Sequence, residues 1–469
     1  MPNAAAIALL LAGYLALSLL PVAIAAAQPL PRRAWLAELS SGLAMASFAM
    51  LLLEFALSGR YRRLTARVGM DLTMRFHQMM ALAALAFLVA HPFLYGDYTQ
   101  RPGGSGAQLT AAATVSGMAA WMLLLAVVAF AWLRTSLPWS YEAWRLTHGL
   151  GALAIAALGA HHVLDTGRYA ADPWMRGFWL AAVGLAIASL AWAYVVRPLA
   201  QSARSWRVVA VTPEAERIWR VVLEPKSARG FAFAAGQFVW LKLYRAFGRI
   251  TEHPFSIASA PGQLPRLQFL VKEGGDFTGG IGRVPAGTRA YVDGPYGNFT
   301  LDGRSGAGIV LIAGGAGIAP ILSLARDLAA TRDSRPLTVI YADRTAAQLA
   351  ARGELEALAR VPGRALHLVL AEPPADWSGL RGRLDTEKLK ACLPRAGAGD
   401  WLYFVCGPPA MIDGVEKSLA ELGVPLRRIV SERFVYATGI ATPRERLTRA
   451  VIAAVVAAQI AVVLAFVLR

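Results

Sequence analysis

The sequence predicts an all-α membrane bundle of six spans, then a soluble part, then one further transmembrane helix. Long apolar runs fill residues 1–200 and 447–469, whereas the chain between them changes to short β-like runs and then to alternating strands and helices. The 469 residues are 56% hydrophobic, and the mean hydropathy is +0.45. This balance excludes an ordinary soluble protein, and the charged middle part excludes a purely membrane-embedded one.

The net charge of +17 does not indicate nucleic-acid binding, because Lys and Arg are scattered and form no basic stripe with interleaved aromatic residues. The positive-inside bias of membrane proteins and anionic nucleotide ligands account for the charge. The two cysteines, Cys392 and Cys406, both fall in the soluble part. We therefore expect no disulfide framework, which fits a reducing cytosol.

The first two apolar runs, 4–27 and 39–57, are each long enough to cross a bilayer. The first ends in Ala-x-Ala-like residues, as a cleaved signal peptide does, but it lacks a basic n-region. A membrane helix is therefore our prediction, with a signal peptide as the alternative. The basic loop at 60–67 is expected on the cytoplasmic side. The third to sixth spans are predicted at 72–95, 111–133, 141–164 and 174–196.

Four histidines lie on the third and fifth predicted spans, with the same spacing in each. His77 and His91 are 14 positions apart, and so are His148 and His162. Fourteen residues return a helix to within roughly 40° of its starting face and span about 21 Å. Since both spans run in the same direction, we expect His77 to pair with His148 near the cytoplasm, and His91 with His162 near the outside. Two such pairs suit two six-coordinate haems.

Other features of these spans bear on the same interpretation. Without a Cys-x-x-Cys-His motif, covalent haem attachment is excluded and b-type haem remains. Arg75 and Arg145 precede the inner histidines, where haem propionates need cations, and Gly151 and Gly159 are expected to leave room for a flat macrocycle. His161 lies about 100° off the stripe, and its role is open.

Three further expectations on these spans concern a helix end, a loop and the alternatives to haem. Pro92 is expected to end or bend the third span. A glycine-rich loop at 96–108 is expected outside the cell. The alternatives are histidines bonded to a neighbouring helix, and a channel or metal transporter that uses them directly.

Residues 206–300 contain short β-like runs separated by turns, which predicts a small antiparallel barrel. In the motif His253-Pro254-Phe255-Ser256, an aromatic ring and a hydroxyl can flank a flavin, although a plain buried strand is the alternative. The turn from Gly274 to Thr278 offers backbone N–H groups to a pyrophosphate. Lys272 and Phe277 are further candidate cofactor-binding residues.

From residue 307 the strands alternate with helices, and two strand ends carry glycines. Gly314-Gly315-Ala-Gly317-Ile-Ala-Pro320 lets a nucleotide phosphate approach a helix N-terminus, although it is not the Gly-x-Gly-x-x-Gly fingerprint and a plain tight turn is the alternative. Another strand ends in Cys406-Gly407-Pro408-Pro409, where Cys406 either approaches the nicotinamide or is an inert structural thiol.

The second strand of this part ends in Asp343-Arg344. The guanidinium of Arg344 can bind the 2′-phosphate of NADPH, whereas Asp343 can hold a ribose hydroxyl instead. The preference between NADPH and NADH is therefore open.

Together these motifs resemble the NADPH oxidase and ferric reductase superfamily, in its prokaryotic NADPH oxidase-like flavocytochrome b form. The family joins a six-helix, two-haem membrane domain to a ferredoxin–NADP reductase-like module. The resemblance extends over about residues 39–436. It implies a ferric-reductase-like haem domain at 1–200, an FAD-binding β-barrel domain at 203–303 and an α/β NAD(P)H-binding domain at 304–437.

The resemblance also assigns residues. It implies that His253, Phe255 and Ser256 contact FAD and that Thr278 lies near its phosphates. The glycine turn and Cys406-Gly407-Pro408 would bind the pyridine nucleotide. The stretch Ser431-Glu-Arg-Phe434 resembles the terminal motif of the family, whose aromatic residue covers the flavin face that nicotinamide must reach. Phe434 and Cys406 are therefore the candidate catalytic residues.

The implied activity is electron transfer from cytosolic NAD(P)H through FAD and two b-type haems to an extracytoplasmic acceptor, across what we expect to be a bacterial inner membrane. Dioxygen, giving superoxide, is the first choice, and ferric chelates are the second. Delivery to a periplasmic protein or quinone is a third possibility. The helix at 447–469 is a departure from the family, and it either tethers the reductase module or mediates assembly, including homo-oligomers.

Overall fold

The computed structural model describes residues 4–58, 70–94, 110–134, 136–166, 168–202, 204–227, 230–243, 252–394, 398–433 and 443–469. The chain divides into a membrane unit, which contains the N-terminal helices and residues 448–469, and a soluble unit within residues 199–447. The basic loop at 60–67, the loop at 96–108 and Phe434 lie outside the described residues.

Long helices build the membrane unit, and the helical bundle with an added C-terminal helix is confirmed. They are α1 (Ala4–Ala27), α2 (Trp35–Ser58), α3 (Met70–Leu94), α4 (Ala111–Trp132), α5 (Tyr141–Asp165), α6 (Pro173–Ala191) and, far along the chain, α13 (Pro443–Leu468). Within the described residues, six helices are long and apolar enough to cross a membrane. The helix α5, with Arg145 and its histidines, is not among the six. Pro92 does not end α3, which continues to Leu94.

Side-chain caps fix the starts of three of these helices. The hydroxyls of Thr110 and Ser140 accept hydrogen bonds from the third residue of α4 and of α5. Asp172 caps α6 in the same way, and Pro173 occupies its first position. Caps of this kind satisfy backbone N–H groups that have no partner inside the helix, and proline at the first position loses no hydrogen bond.

The helix α2 lies at the centre of the membrane unit. More than half of its most apolar stretch is buried, against less than a third in the other membrane-spanning helices among the described residues. It packs mainly against α1 and α6, and it also contacts α5 over a shorter stretch. Close backbone packing also joins α4 to α5 in the described part of the chain, but it does not join α3 to α5.

The C-terminal helix α13 packs into this same unit through one stripe. The buried stripe residues recur every three or four positions, and they are Ile452, Val455, Gln459, Val463 and Phe466. The Gln459 amide nitrogen donates to the Ser18 hydroxyl at 3.0 Å, and both side chains are fully buried. A Cβ atom on Gly42 of α2 would lie 2.9 Å from a Val463 methyl carbon. The helix is therefore a packed member of the bundle.

The soluble unit begins after a short helix, α7 (Arg197–Ser202), with an antiparallel sheet. Its strands are β1 (Ser205–Ala215), β2 (Ile218–Pro225), β3 (Phe238–Leu243), β4 (His253–Ser256), β5 (Leu267–Lys272) and β6 (Arg289–Tyr296), in the order β4-β3-β6-β1-β2-β5. An isolated bridge between Ile257 and Phe269 joins the two edges, so that the sheet curls into the predicted barrel shape. The helix α8 (Gly275–Thr278) lies between β5 and β6.

The second sheet is parallel and is covered by helices, as the strand–helix alternation predicts. In chain order its elements are β7 (Ile309–Gly314), α9 (Ile318–Ala330), β8 (Leu337–Asp343), α10 (Arg352–Ala359), β9 (Arg364–Leu370), β10 (Leu380–Arg381), α11 (Thr386–Cys392), β11 (Leu402–Cys406), α12 (Pro409–Glu421) and β12 (Ile429–Glu432). The strand order is β10-β9-β8-β7-β11-β12. It reverses between β7 and β11, which is where sheets of this kind bind ligands.

Side chains of α9 join the two sheets of the soluble unit. The Ser323 hydroxyl donates to the carbonyl of Ser259 at 2.7 Å and accepts from the amide of Gly236 at 3.2 Å. The Arg326 guanidinium donates to the carbonyl of Ala258 at 3.0 Å and forms a two-point ion pair with Glu354. These contacts fix the barrel against the helix that starts at the glycine turn.

We expect Gly42→Leu to destabilise the membrane unit by about 1–3 kcal/mol, because the new side chain must displace Val463 and Phe466. Thermal unfolding in detergent would measure the loss. Gly184→Leu is the matched control, since a Cβ on Gly184 meets no atom within 4 Å. Equal melting temperatures for the two variants would show that α13 does not pack against α2.

Candidate functional site

The ends of β7 and β11 form a crevice in which only glycine fits. A Cβ on Gly317 would lie 2.2 Å from the carbonyl oxygen of Cys406, and a Cβ on Gly314 would lie 2.1 Å from the sulfur of Met411. Gly315 has a φ of +52°, in the left-handed region that favours glycine. The backbone N–H groups at the start of α9 are therefore a candidate site for the close approach of a phosphate. Pro320 is buried in the first turn of α9.

The second side of the crevice is Cys406-Gly407-Pro408. Gly407 packs against the backbone of Gly314, where its Cβ would be 3.1 Å from the Gly314 Cα. Cys406 is 1% exposed and belongs to the apolar core beneath α9. This burial fits the structural alternative for its thiol, and a catalytic role for Cys406 stays a prediction. Pro408 precedes α12 and borders Gly314.

Lys272 brings a positive charge from the barrel to the glycine turn. Its Nζ atom would lie 3.7 Å from a Cβ on Gly315, and the ammonium also attracts the carboxylate of Asp343. The ends of β7 and β8 in the parallel sheet therefore lie close to Lys272, the last residue of β5. A cation beside open N–H groups is suited to a pyrophosphate.

The end of β8 carries the candidate groups for the ribose. Burial raises the pKa of Asp343 above its ordinary value, and its carboxylate accepts a hydrogen bond from the backbone N–H of Arg344 at 2.8 Å. The Arg344 guanidinium donates to Glu372 at 2.9 Å. Because the side chains of Arg344 and Glu372 are 67% and 58% exposed, this ion pair is weak and a ligand phosphate can compete with Glu372.

The candidate flavin-binding residues lie on β4 and α8. His253 stacks on Phe277 with ring centroids 4.1 Å apart, and Phe255 lies 6.1 Å from the same ring. Pro254 and Phe255 pair with β3, and Ser256 is buried at the end of the strand. The sequence did not indicate the ring stack on Phe277.

The Thr278 hydroxyl lies in the turn that follows β5. It donates a hydrogen bond to the carbonyl of Gly274 and accepts one from the amide of the same residue.

The residue before Phe434 is held by two buried carboxylates. The Arg433 guanidinium donates to Asp413 and, at 3.0 Å, to Glu416, both on α12. The three side chains are 12%, 7% and 4% exposed. This contact fixes the end of β12 to α12, and no sequence motif indicated it.

In the membrane unit, one histidine pair is in direct register. The rings of His91 and His162 have centroids 6.4 Å apart and an interplanar angle of 74°. Their Nδ1 atoms bond elsewhere, His91 to the Ser40 hydroxyl at 2.8 Å and His162 to the Ala113 carbonyl at 2.8 Å. A hydrogen bond to Nδ1 makes Nε2 the ring nitrogen that would bind a metal. A metal-bound imidazole nitrogen lies about 2 Å from the metal, so two rings sharing one iron have centroids about 6 Å apart.

The second histidine pair has a different environment. His77 Nδ1 lies 2.9 Å from a carboxylate oxygen of Glu54, and Glu54 also accepts from the Tyr14 hydroxyl at 3.0 Å. His148 interacts electrostatically with His77 and stacks on Trp144 at 5.4 Å. Its Nδ1 atom is buried without a hydrogen-bond partner among the described residues. The ring contact joins the second histidines of α3 and α5, and the electrostatic interaction of His148 with His77 fits the same parallel direction of the two helices.

Other residues predicted for this region take different roles. Gly159 and Gly151 admit the side chains of Phe48 and Val127, so they serve helix packing instead of leaving room for a macrocycle. Arg145 lies over the ring of Tyr194, with its guanidinium carbon 5.4 Å from the centroid. Arg75 is partly buried on α3.

His161 is exposed and bonds the hydroxyl of Ser116. The assignment of Arg75 and Arg145 to propionates stays a prediction, as does haem ligation by the four paired histidines.

Arg433→Met would leave Asp413 and Glu416 buried without their cation. We expect a loss of about 3–5 kcal/mol in the unfolding free energy of the soluble unit, because an uncompensated buried charge is costly. Lys417→Met on the same helix removes an exposed pair with Glu421 and should change stability by less than about 0.5 kcal/mol. Comparable losses in denaturant titrations of both variants would contradict the assignment.

Gly317→Ala places a methyl group against the backbone of Cys406. We expect bound flavin to remain while NAD(P)H-dependent flavin reduction falls at least tenfold, because the crevice between β7 and β11 is forced open. Flavin content and stopped-flow reduction would be measured together. Gly414→Ala, at a helix position with no atom within 4 Å of the new Cβ, should retain the wild-type rate. A normal rate for Gly317→Ala would exclude the crevice as the nucleotide site.

Three families match successive parts of the chain. Residues 43–159 match the ferric reductase like transmembrane component, residues 205–300 an FAD-binding domain and residues 311–417 an oxidoreductase NAD-binding domain. Ferredoxin–NADP reductase B of Sorangium cellulosum is 33% identical over 235 residues, which cover 49% of this chain and 96% of that protein.

The flavohemoprotein of Bordetella pertussis is 31% identical over 252 residues, which are 50% of this chain and 61% of that protein. Among solved structures, a cytochrome P450 reductase from Amycolatopsis has 30% identity and a TM-score of 0.44, covering 49% of this chain and 69% of that one. A flavohemoglobin from Malassezia yamatoensis with bound FAD and heme has 20% identity and a TM-score of 0.47, covering 83% and 98%.

The order of the three domains is therefore that of a membrane component followed by FAD- and NAD-binding reductase domains. With its apolar helices, the chain is an integral membrane oxidoreductase built for NAD(P)H-driven transmembrane electron transfer. It belongs to the NADPH oxidase and ferric reductase superfamily.

Proposed function

We propose that this protein transfers electrons from cytosolic NAD(P)H through FAD and two b-type haems to an acceptor on the other side of the membrane, with dioxygen as the first acceptor. The observation that carries the proposal is the register of His91 and His162, whose rings lie 6.4 Å apart with both Nδ1 atoms already bonded. That spacing fits two imidazoles on one iron. His77 and His148 supply the second pair.

The residues of the soluble unit would bind the nucleotide and the flavin. When bound, FAD would take a hydride from NAD(P)H and release electrons singly, and each haem iron would carry one electron at a time. The crevice at Gly314 and Gly317 would take the nucleotide pyrophosphate, with Lys272 neutralising its charge. His253 and Phe255 would border the flavin ring. Arg433, clamped on α12, would set the chain direction towards Phe434.

The residues of the membrane unit would position the haems. Hydrogen bonds to Nδ1 would fix the tautomer of His77, His91 and His162, so that Nε2 would be the nitrogen offered to a haem iron. We place the His77–His148 pair on the cytoplasmic side, because the basic loop at 60–67 precedes α3. The His91–His162 pair would then be nearest the external acceptor.

An acceptor assay on the purified protein in vesicles tests this function. We expect haem absorbance with a reducible Soret band, two haems per chain, and NADPH-driven cytochrome c reduction that superoxide dismutase suppresses. Faster reduction of a ferric chelate would favour a metalloreductase, and inactivity on both acceptors would favour a protein or quinone partner. Absence of haem would refute the electron-transfer route and favour a transporter.

The variant His148→Leu belongs to the same experiment. We expect one haem to be lost, flavin reduction by NAD(P)H to continue, and electron flow to the external acceptor to stop. Two haems retained in this variant would contradict the pairing of His77 with His148.

Nucleotide preference can be tested at Arg344. Arg344→Ala should raise the KM for NADPH at least tenfold and leave the KM for NADH unchanged, because a charge-assisted hydrogen bond to phosphate contributes about 1.5–3 kcal/mol. Glu372→Gln should lower the KM for NADPH by freeing Arg344 and removing a repelling carboxylate. Steady-state kinetics with both nucleotides measures this. Equal changes in the KM for NADPH and the KM for NADH would contradict the proposed role of Arg344 in binding the 2′-phosphate.

A further inference from the structure

We propose that Glu54 sets the midpoint potential of one haem below that of the other, by accepting a hydrogen bond from the Nδ1–H group of His77. This inference rests on the proposed two-haem function. It concerns a positioning residue on α2 that would act through His77, and it makes the two histidine pairs chemically unequal.

Glu54 is a buried carboxylate, and each of its two oxygens has a hydrogen-bond partner. One oxygen lies 2.9 Å from His77 Nδ1, and the other accepts from the Tyr14 hydroxyl at 3.0 Å. Glu54 is 4% exposed and Tyr14 is 6% exposed. A carboxylate among apolar helices is costly and is kept where it is paired and has a use. The contact leaves His77 Nε2 as the ring atom available to a metal.

The partners of the four histidines differ in charge. His91 has the neutral Ser40, His162 has a neutral backbone carbonyl, and His148 has no Nδ1 partner among the described residues. Among the contacts given above, the contact to His77 is the one made by a carboxyl group. With Glu54 ionised, the pair that contains His77 would carry one negative charge more at the second ligand sphere than Ser40 and the backbone carbonyl give the pair of His91 and His162.

The position of Glu54 follows the repeat of the ligands. Ser40 and Glu54 are 14 positions apart on α2 (54 − 40), and so are His77 and His91 on α3 (91 − 77). Since Ser40 contacts His91 and Glu54 contacts His77, the two helices run antiparallel in matching register. One helix thus supplies both second-sphere partners of α3, a hydroxyl at one level and a carboxylate at the other.

A carboxylate that accepts the Nδ1 proton makes the imidazole a stronger donor to its metal. Stronger donation and nearby negative charge stabilise the ferric form, so they lower the midpoint potential. With the orientation proposed above, the low-potential haem is the one on the flavin side. Electrons would then move outwards to a haem of higher potential.

The test is a redox titration of haem absorbance in the full-length protein, with electron paramagnetic resonance of the oxidised haems. Glu54→Gln keeps the side-chain shape and removes the charge. We expect two haems to remain, the lower of the two midpoint potentials to rise towards the upper one, and the upper one to stay unchanged. The resonance signal of the same haem should shift.

Tyr14→Phe is a second variant, and it is expected to shift the lower midpoint potential in the opposite direction. Loss of the Tyr14 hydrogen bond leaves more negative charge on the carboxylate towards His77, so the lower potential should fall further. A purely structural role for Glu54 would not give opposite shifts. Ser40→Ala is the control at the other pair and should leave the lower potential unchanged.

The outcomes separate this inference from the function on which it rests. Two haems with unchanged midpoint potentials in both Glu54→Gln and Tyr14→Phe would overturn the role of Glu54 and leave the proposed function intact. A wild-type protein without haem would refute the proposed function itself. Should Glu54→Gln fail to accumulate, an unchanged or raised lower potential in Tyr14→Phe would overturn the inference alone.

Discussion

Glu54, buried on α2 with His77 on one side and Tyr14 on the other, illustrates the constraint on the whole membrane unit. Polar side chains in an apolar bundle must find partners inside it, because neither water nor lipid offers them. The helix α2 supplies several of these partners. Ser40 bonds His91 of α3, and Gly42 admits the side chains of α13. Removing α2 from the bundle would leave the histidine helix α3 without either second-sphere contact.

In the soluble unit the corresponding constraint is space. Two glycine segments from different strands meet so closely that neither tolerates a side chain, as at Gly317 against Cys406. The reversal of strand order between β7 and β11 brings them together and opens the crevice above them. The barrel adds Lys272 to that crevice, and α9 holds the barrel in place through Ser323 and Arg326. The candidate nucleotide site thus draws residues from both sheets.

The sequence was sufficient for the architecture, and local spacing in the sequence specified the candidate site residues. Apolar length predicts the helices, and the turn at Gly314 follows from its position between a buried strand and a helix. Contacts between residues that lie far apart in the sequence were not predicted. Glu54 is 23 positions from His77, so no short motif connects them. The same is true of Arg433 with Asp413, and of His253 stacked on Phe277. Gly151 and Gly159 were predicted to leave room for a macrocycle, whereas side chains of neighbouring helices pack against them. A small residue is compatible with either use.

The membership of α13 in the membrane unit changes the connectivity of the protein. The soluble unit is an insertion in the chain, since helices of the membrane unit both precede and follow it. Gln459, bonded to Ser18 some 441 positions earlier in the sequence, shows how far the two ends of that unit are separated along the chain. A single proteolytic cut in either connection would leave the reductase module covalently attached to the membrane. Its release as a free protein requires both connections to be cleaved.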